Sequence, residues 1–132
     1  MAQIQYKRFD ILKELDAITA SISDNRFVQT RPNAVGEQMQ DFLLLRLPQA
    51  MRDRGDTYQT TYGQIAIFVR DINGMENTYR LEQMQEQVMN LFPIVNDLFH
   101  GKNPIMLAST SDGAGFHSLI IQFNITILKS TF

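Results

Sequence analysis

The sequence predicts an α+β domain in which two helices pack on one face of a four- to five-stranded antiparallel or mixed sheet, in the order α-β-β-β-α-β-β. Three observations predict it. Two segments repeat their apolar residues at three- and four-residue spacing, as amphipathic helices do. Several others alternate at a period of two, as strands do. Turn sequences, Asn73-Gly74 and the SDGAG of 111–115, separate them. At 132 residues the chain reads as one domain, 1–132, large enough to bury a core without covalent staples.

The first helix is expected in YKRFDILKELDAITASIS, where Phe9, Leu12, Leu15, Ile18 and Ile22 form the stripe and Lys7, Lys13, Glu14 and Asp16 lie outside it. SDN at 23–25 punctuates its end, and RFVQT at 26–30 fits a short strand. A loop follows, marked by Pro32 and Gly36. QDFLLLRL at 40–47 predicts a strand with Leu43, Leu45 and Leu47 on one face, ended by Pro48. The polar stretch 48–60 is long for a hairpin connection, and long loops are more often functional or disordered than short ones. TYGQIAIFVRD at 61–71 places Ile65, Ile67 and Val69 on one face and Gln64, Ala66, Phe68 and Arg70 on the other.

The second helix is expected across NTYRLEQMQEQVMNLFPIVNDLFH, with Leu81, Met84, Val88, Leu91, Val95 and Leu98 as its stripe, a kink or restart at Pro93 and Gly101 closing it. NPIMLAST at 103–110 and HSLIIQFNITIL at 117–128 are the last strands. If the strands at 61–71 and 103–110 are neighbours, the helix between them makes a right-handed parallel crossover; otherwise the sheet is wholly antiparallel.

Composition excludes several functions. The chain has no cysteine, hence no disulfide framework, thiolate nucleophile or zinc–thiolate site, which suits a cytoplasmic protein. Net charge is −2, with eight basic and eight acidic side chains in residues 1–60 and four and six in residues 61–132. Without a basic stripe there is no footprint for a phosphate backbone, so direct nucleic-acid recognition is not expected. The N-terminal stretch carries scattered charges and no apolar h-region, so no signal peptide is read there, and no apolar run is long enough to span a bilayer.

Candidates for chemistry are few. His100 is expected at a helix C-terminus, where an imidazolium gains from the helix dipole or simply sits at the surface. His117 opens the last strand, and Ser109, Ser111 or Ser118 would have to serve as its nucleophile, but no G-x-S-x-G elbow supports that scheme. The glycines of SDGAGFHS precede a strand rather than the helix a phosphate loop needs. Asp71, Asn73 and Glu82 have the spacing of a calcium loop, yet Met75 and Glu76 stand where an oxygen ligand and a glycine are required. Asn124-Ile-Thr126 matches a glycosylation pattern by chance, in mid-strand. No catalytic residue, metal ligand or cofactor site is therefore assigned.

An interaction role remains by elimination. The closing strand buries Leu119, Ile121, Phe123, Ile125 and Ile127 on one face and shows Ile120, Gln122, Asn124 and Thr126 on the other, too polar for a core and too apolar for water. With both helices on one side, nothing in the chain is expected to cover that second face, where Ala66 and Phe68 also lie. The 48–60 loop carries Arg52, Asp53, Arg54 and Asp56, and Phe132 is an aromatic with no evident core to enter. These residues, Phe68 and the mixed face of the closing strand are the predicted interface.

The leading helix KRFDILKELDAITASI, the stretch TTYGQIAIFVRDINGMENTYRLEQMQEQVMNLFPI and the closing strand HSLIIQFNITIL resemble, over nearly the whole chain, the small tail-terminator or tail-completion proteins of long-tailed bacteriophages and prophages. The resemblance implies a non-enzymatic structural subunit without cofactor. It implies a homo-oligomeric ring, commonly six-fold, that ends the tail tube and offers the head connector a docking surface. The location implied is the bacterial cytoplasm during assembly and then the virion. The family has no invariant motif to lay onto these positions, so no functional residue is carried over. Two other classes remain open: a small-ligand-binding domain with a pocket lined by Met84, Val88 and Phe92, and a host-encoded adaptor.

Overall fold

The structure is a computed structural model. It describes residues 3–4, 8–31, 36–48, 52–53, 58–128 and 130–131; at 3, 4, 8, 52, 53, 128, 130 and 131 only the backbone is described. In chain order the elements are β1 (Gln3–Ile4), α1 (Arg8–Ile18), β2 (Arg26–Val28), β3 (Asp41–Arg46), β4 (Arg52–Asp53), β5 (Tyr58–Arg70), α2 (Thr78–Met89), β6 (Ile94–Val95), β7 (His100–Ser111), β8 (Phe116–Leu128) and β9 (Ser130–Thr131).

The α+β class is as expected, but the sheet is larger than four or five strands. Its path is β2-β3-β5-β8-β7-β6, and β4 pairs with β5 on the side that β3 also uses. A separate two-stranded pair joins β1 to β9. The sheet is mixed because β2 runs parallel to β3, while every other pairing is antiparallel. The strands β5 and β7 are not neighbours. The closing strand β8 lies between them, paired with β5 from Tyr58↔Leu128 to Arg70↔Phe116. Its apolar face is therefore central to the sheet, as its five buried side chains Leu119, Ile121, Phe123, Ile125 and Ile127 require.

Both helices cover one face. Ile11, Leu12 and Leu15 of α1 and Leu81, Met84 and Val88 of α2 meet Leu43, Leu45, Ile65, Ile67, Val69 and the β8 stripe in one core. The α1 stripe is rotated from the predicted one: Ile11 is inside, and Phe9 is exposed. Thr19, just past the helix, is buried, but its hydroxyl donates to the Leu15 carbonyl at 2.7 Å, so no polar group is stranded there. Asn77 caps α2, its side-chain oxygen accepting from the Arg80 N–H at 3.3 Å.

The second helix is shorter than its periodicity suggests. It ends at Met89 rather than kinking at Pro93, since Pro93 has no N–H for the Met89 carbonyl and disfavours helical backbone at Phe92. Beyond it, Ile94–Val95 form a strand, Val95 is exposed, and His100 and Gly101 belong to β7 instead of a helix terminus. Gly101 has a packing reason: a Cβ there would stand 3.3 Å from both Ile94 and Phe123. Gly63 has a stronger one, because a Cβ would meet the Phe123 ring at 2.7 Å. The ring of Phe123 occupies the space over both glycines and packs at 4.9 Å from Phe92.

Candidate functional site

Three of the positions raised for catalysis, His117, Ser109 and Ser111, make hydrogen bonds within the fold. His117 Nδ1 lies 2.6 Å from Asp71 Oδ1, an arrangement that would orient a general base. Two of its expected nucleophiles make other contacts. The Ser109 hydroxyl donates to Glu76, and Ser111 Oγ accepts from the Gly113 N–H at 3.2 Å. The Ser109 and Thr78 hydroxyls hold the Glu76 carboxyl below its ordinary pKa, against a small opposing effect of burial and with help from nearby His117. These contacts pin the 71–77 turn, with Asn73 and Gly74 at positive φ, to the ends of β7 and β8. Among the described residues no three His, Asp or Glu side chains converge as a metal site. No helix among them is long and apolar enough to cross a membrane.

Met84 and Val88, proposed to line a ligand pocket, are fully buried in the helix-side core. Phe92 instead lines an open cleft of about 330 Å³ with Met89, Pro93, Lys102, Asn103 and Pro104. A second cleft, about 360 Å³, surrounds Arg80, whose guanidinium donates to Asp41 at 3.1 Å and to Gln83 at 2.7 Å. Asp41 also accepts from the Ser23 hydroxyl at 2.7 Å, so this polar cluster ties the end of the first helical region to β3 and α2.

The second face of the sheet divides in two. At one end Phe42, Leu44, Ala66, Phe68 and Phe116 form a separate buried cluster, with Phe27, Met39 and Ile120 against it. The parallel pairing of β2 and β3 makes their connection a crossover, and its described ends, Arg31 and Met39, lie on this cluster, so this part of the face is covered after all, contrary to expectation. Arg31 sits on the cluster with its guanidinium carbon 5.0 Å from the Phe68 ring centre, 5.5 Å from Phe42 and 5.8 Å from Phe116. Its Nη1 approaches Asp112 Oδ2 at 2.6 Å, at an angle that makes a charge pair rather than a well-directed hydrogen bond. Arg70 donates to the Met39 and Gly36 carbonyls at 3.0 Å each and holds down the other end of the crossover. Burial of Asp112 works against its charge, but the Ala114 and Phe116 N–H groups and the Arg31 guanidinium prevail and keep its pKa below the ordinary value.

At the other end the face is polar. Gln64 donates to Gln122 at 3.0 Å, and Tyr62, Asn124, Thr60 and Thr126 continue the rows toward His100. The predicted residues Ile120, Gln122, Asn124 and Thr126 thus share one face, with Ile120 at the margin of the covered cluster and Asn124 exposed. Phe68 is buried under Arg31 and presents nothing outward. The β4 backbone, Arg52 and Asp53, pairs with Thr60 and Gln59 and so adjoins the Thr126 end of that face. Arg54, Asp56 and Phe132 lie outside the described residues.

A feature that period counting passed over lies at the sheet edge. The strand β6 covers β7 only at His100 and Gly101. Beyond Lys102 no described strand lies outside β7, and Ile105, Met106 and Leu107 are 53%, 49% and 40% exposed. Consecutive exposed apolar residues on an uncovered edge are uncommon in monomers, because such an edge templates further strand pairing. The signal was present in Pro104, which favours edges, and in a run without polar alternation. Compared with known proteins, the chain matches no protein-family model and no curated sequence.

Proposed function

We propose that this chain is a non-enzymatic assembly subunit of the tail-terminator or tail-completion kind, which forms a ring of six copies at the end of a phage or prophage tail tube. The uncovered apolar edge at Ile105–Leu107 carries the reading, since it suits a subunit that finishes its sheet against another polypeptide. The polar half of the second face, with Gln64, Gln122 and Asn124, has the mixed character of a wet contact surface toward the tube protein or the head connector. The Ser109–Glu76 bond and the Asp71–His117 pair, which anchor the 71–77 turn, agree with a structural role.

Light scattering behind size exclusion, over a wide concentration range and with and without purified tail tubes, tests it. A discrete ring, or a monomer that becomes one on tube ends, is expected. A chain that stays monomeric and leaves tubes untouched overturns the proposal.

A further inference from the structure

Among the described residues the main sheet ends in two open edges, and they are matched. One is the outer side of β7 past Lys102, and the other is the outer side of β2. Following the ladders across the sheet, Val28 is level with Leu45, Ile65, Ile121 and Met106, and Phe27 is level with Leu44, Ala66, Ile120 and Leu107. The two edges therefore stand at the same height on the strands. They also run in opposite directions, because one parallel and three antiparallel steps separate them.

We infer that the β7 edge at Ile105–Leu107 pairs, antiparallel, with the β2 edge of a second copy of this chain. The inference rests on the assembly reading above and names the junction. Met106 then comes beside Val28 on the helix side of the sheet, and Leu107 beside Phe27 on the other, apolar against apolar on both faces. Val28 is 41% exposed, so this edge too has apolar surface to lose. The lengths agree: register shifts on either side leave only Ile105–Leu107 regularly paired within that stretch of β7, and β2 is three residues long. The backbone of β2 is oriented for it. Leu43 donates to Asn25 and Gln29 donates to Leu45, so the alternate residues Arg26 and Val28 turn their N–H groups outward. No charged residue lies between Lys102 and Asp112, and the one charge of β2, Arg26, is already paired with Asp16 at 2.8 Å. Each copy keeps one edge of each kind, so the contact is head-to-tail and propagates until it closes.

The test uses the full chain with Met106→Lys or Val28→Lys, two exposed positions, with the fold of each checked by circular dichroism. Assembly of each variant alone should weaken at least tenfold. An equimolar mixture should give a species of two chains, because one intact edge of each kind remains. Wild-type assembly in both variants overturns the junction while leaving the assembly reading in place. Loss in Met106→Lys alone means that β7 pairs with its own copy, and overturns it equally, as does a mixture that stays monomeric. If a lysine variant unfolds, a chain carrying both Val28→Cys and Met106→Cys replaces it. The natural chain has no cysteine, so oxidation should produce a ladder of linked chains on a non-reducing gel, and absence of that ladder counts against the junction. A chain that neither assembles nor binds tail tubes ends both readings together.

Discussion

The two faces of one sheet are buried by different physics. The helix side is aliphatic and closed by side chains that α1 and α2 deliver at regular spacing, such as Leu15, Leu81, Met84 and Val88. The other side is closed by the described ends of the β2–β3 crossover, Arg31 and Met39, which belong to no periodic stripe. It depends on three phenylalanines, two guanidinium groups and backbone carbonyls: Phe42 lies at 4.5 Å and nearly parallel to Phe68, Phe116 meets Phe42 edge-on, Arg31 covers Phe42 and Phe68, and Arg70 fastens the chain above. A helix can bury a face with apolar area alone. A loop must also satisfy its own peptide groups, so its cover is partly ionic and answers to pH.

The largest test of that contrast is Phe123→Ala, which empties the space over Gly63 and Gly101 on the helix side and should cost about 3–5 kcal/mol in denaturant unfolding. Gly63→Ala approaches the same site from below; its Cβ would press on the Phe123 ring, and a loss of about 1–3 kcal/mol is expected. On the loop side, Arg31→Ala removes a charge pair and its ring contacts, for a loss of about 1–2 kcal/mol, and a value near zero would show that the crossover needs no cation. Asp112 supplies the pH arm. Its folded pKa is depressed, so its contribution is fully present above the unfolded value of about 3.9 and is lost as pH falls through the lower folded value. Acid titration should therefore show a stability decline below about pH 4 that Asp112→Asn reduces. Smallest of all, Gln122→Arg with Asn124→Asp should move stability by less than about 1 kcal/mol, and any effect should be confined to assembly.

Much of the helix-side architecture was legible in the sequence, because local periodicity and burial agree there. Leu81, Met84 and Val88 repeat as a core stripe, β5 and β8 alternate, and both glycine turns fall where expected. The misreadings have local causes. Leu91, Val95 and Leu98 continue the helical spacing past Pro93, yet proline stereochemistry outweighs the pattern and Val95 faces out. Phe9 fits the α1 stripe by number, but Ile11 takes its place inside. The cover over Phe68 was not legible, since it follows from a parallel β2–β3 pairing between segments that show no sign of one another. The mixed outer face of β8 has a partial answer in that pairing: Ile120 borders the covered aromatic cluster, while Gln122 and Asn124 stand beyond it.

The central place of β8 has a consequence for synthesis. Every long strand other than β8 leaves the ribosome before it, and β5 and β7 have no ladder between them until residues 116–128 arrive. A product truncated before Phe116 would lack the strand that holds β5 and β7 side by side. Translation order thereby makes completion of the sheet wait on pairs as distant along the chain as Tyr58 and Leu128.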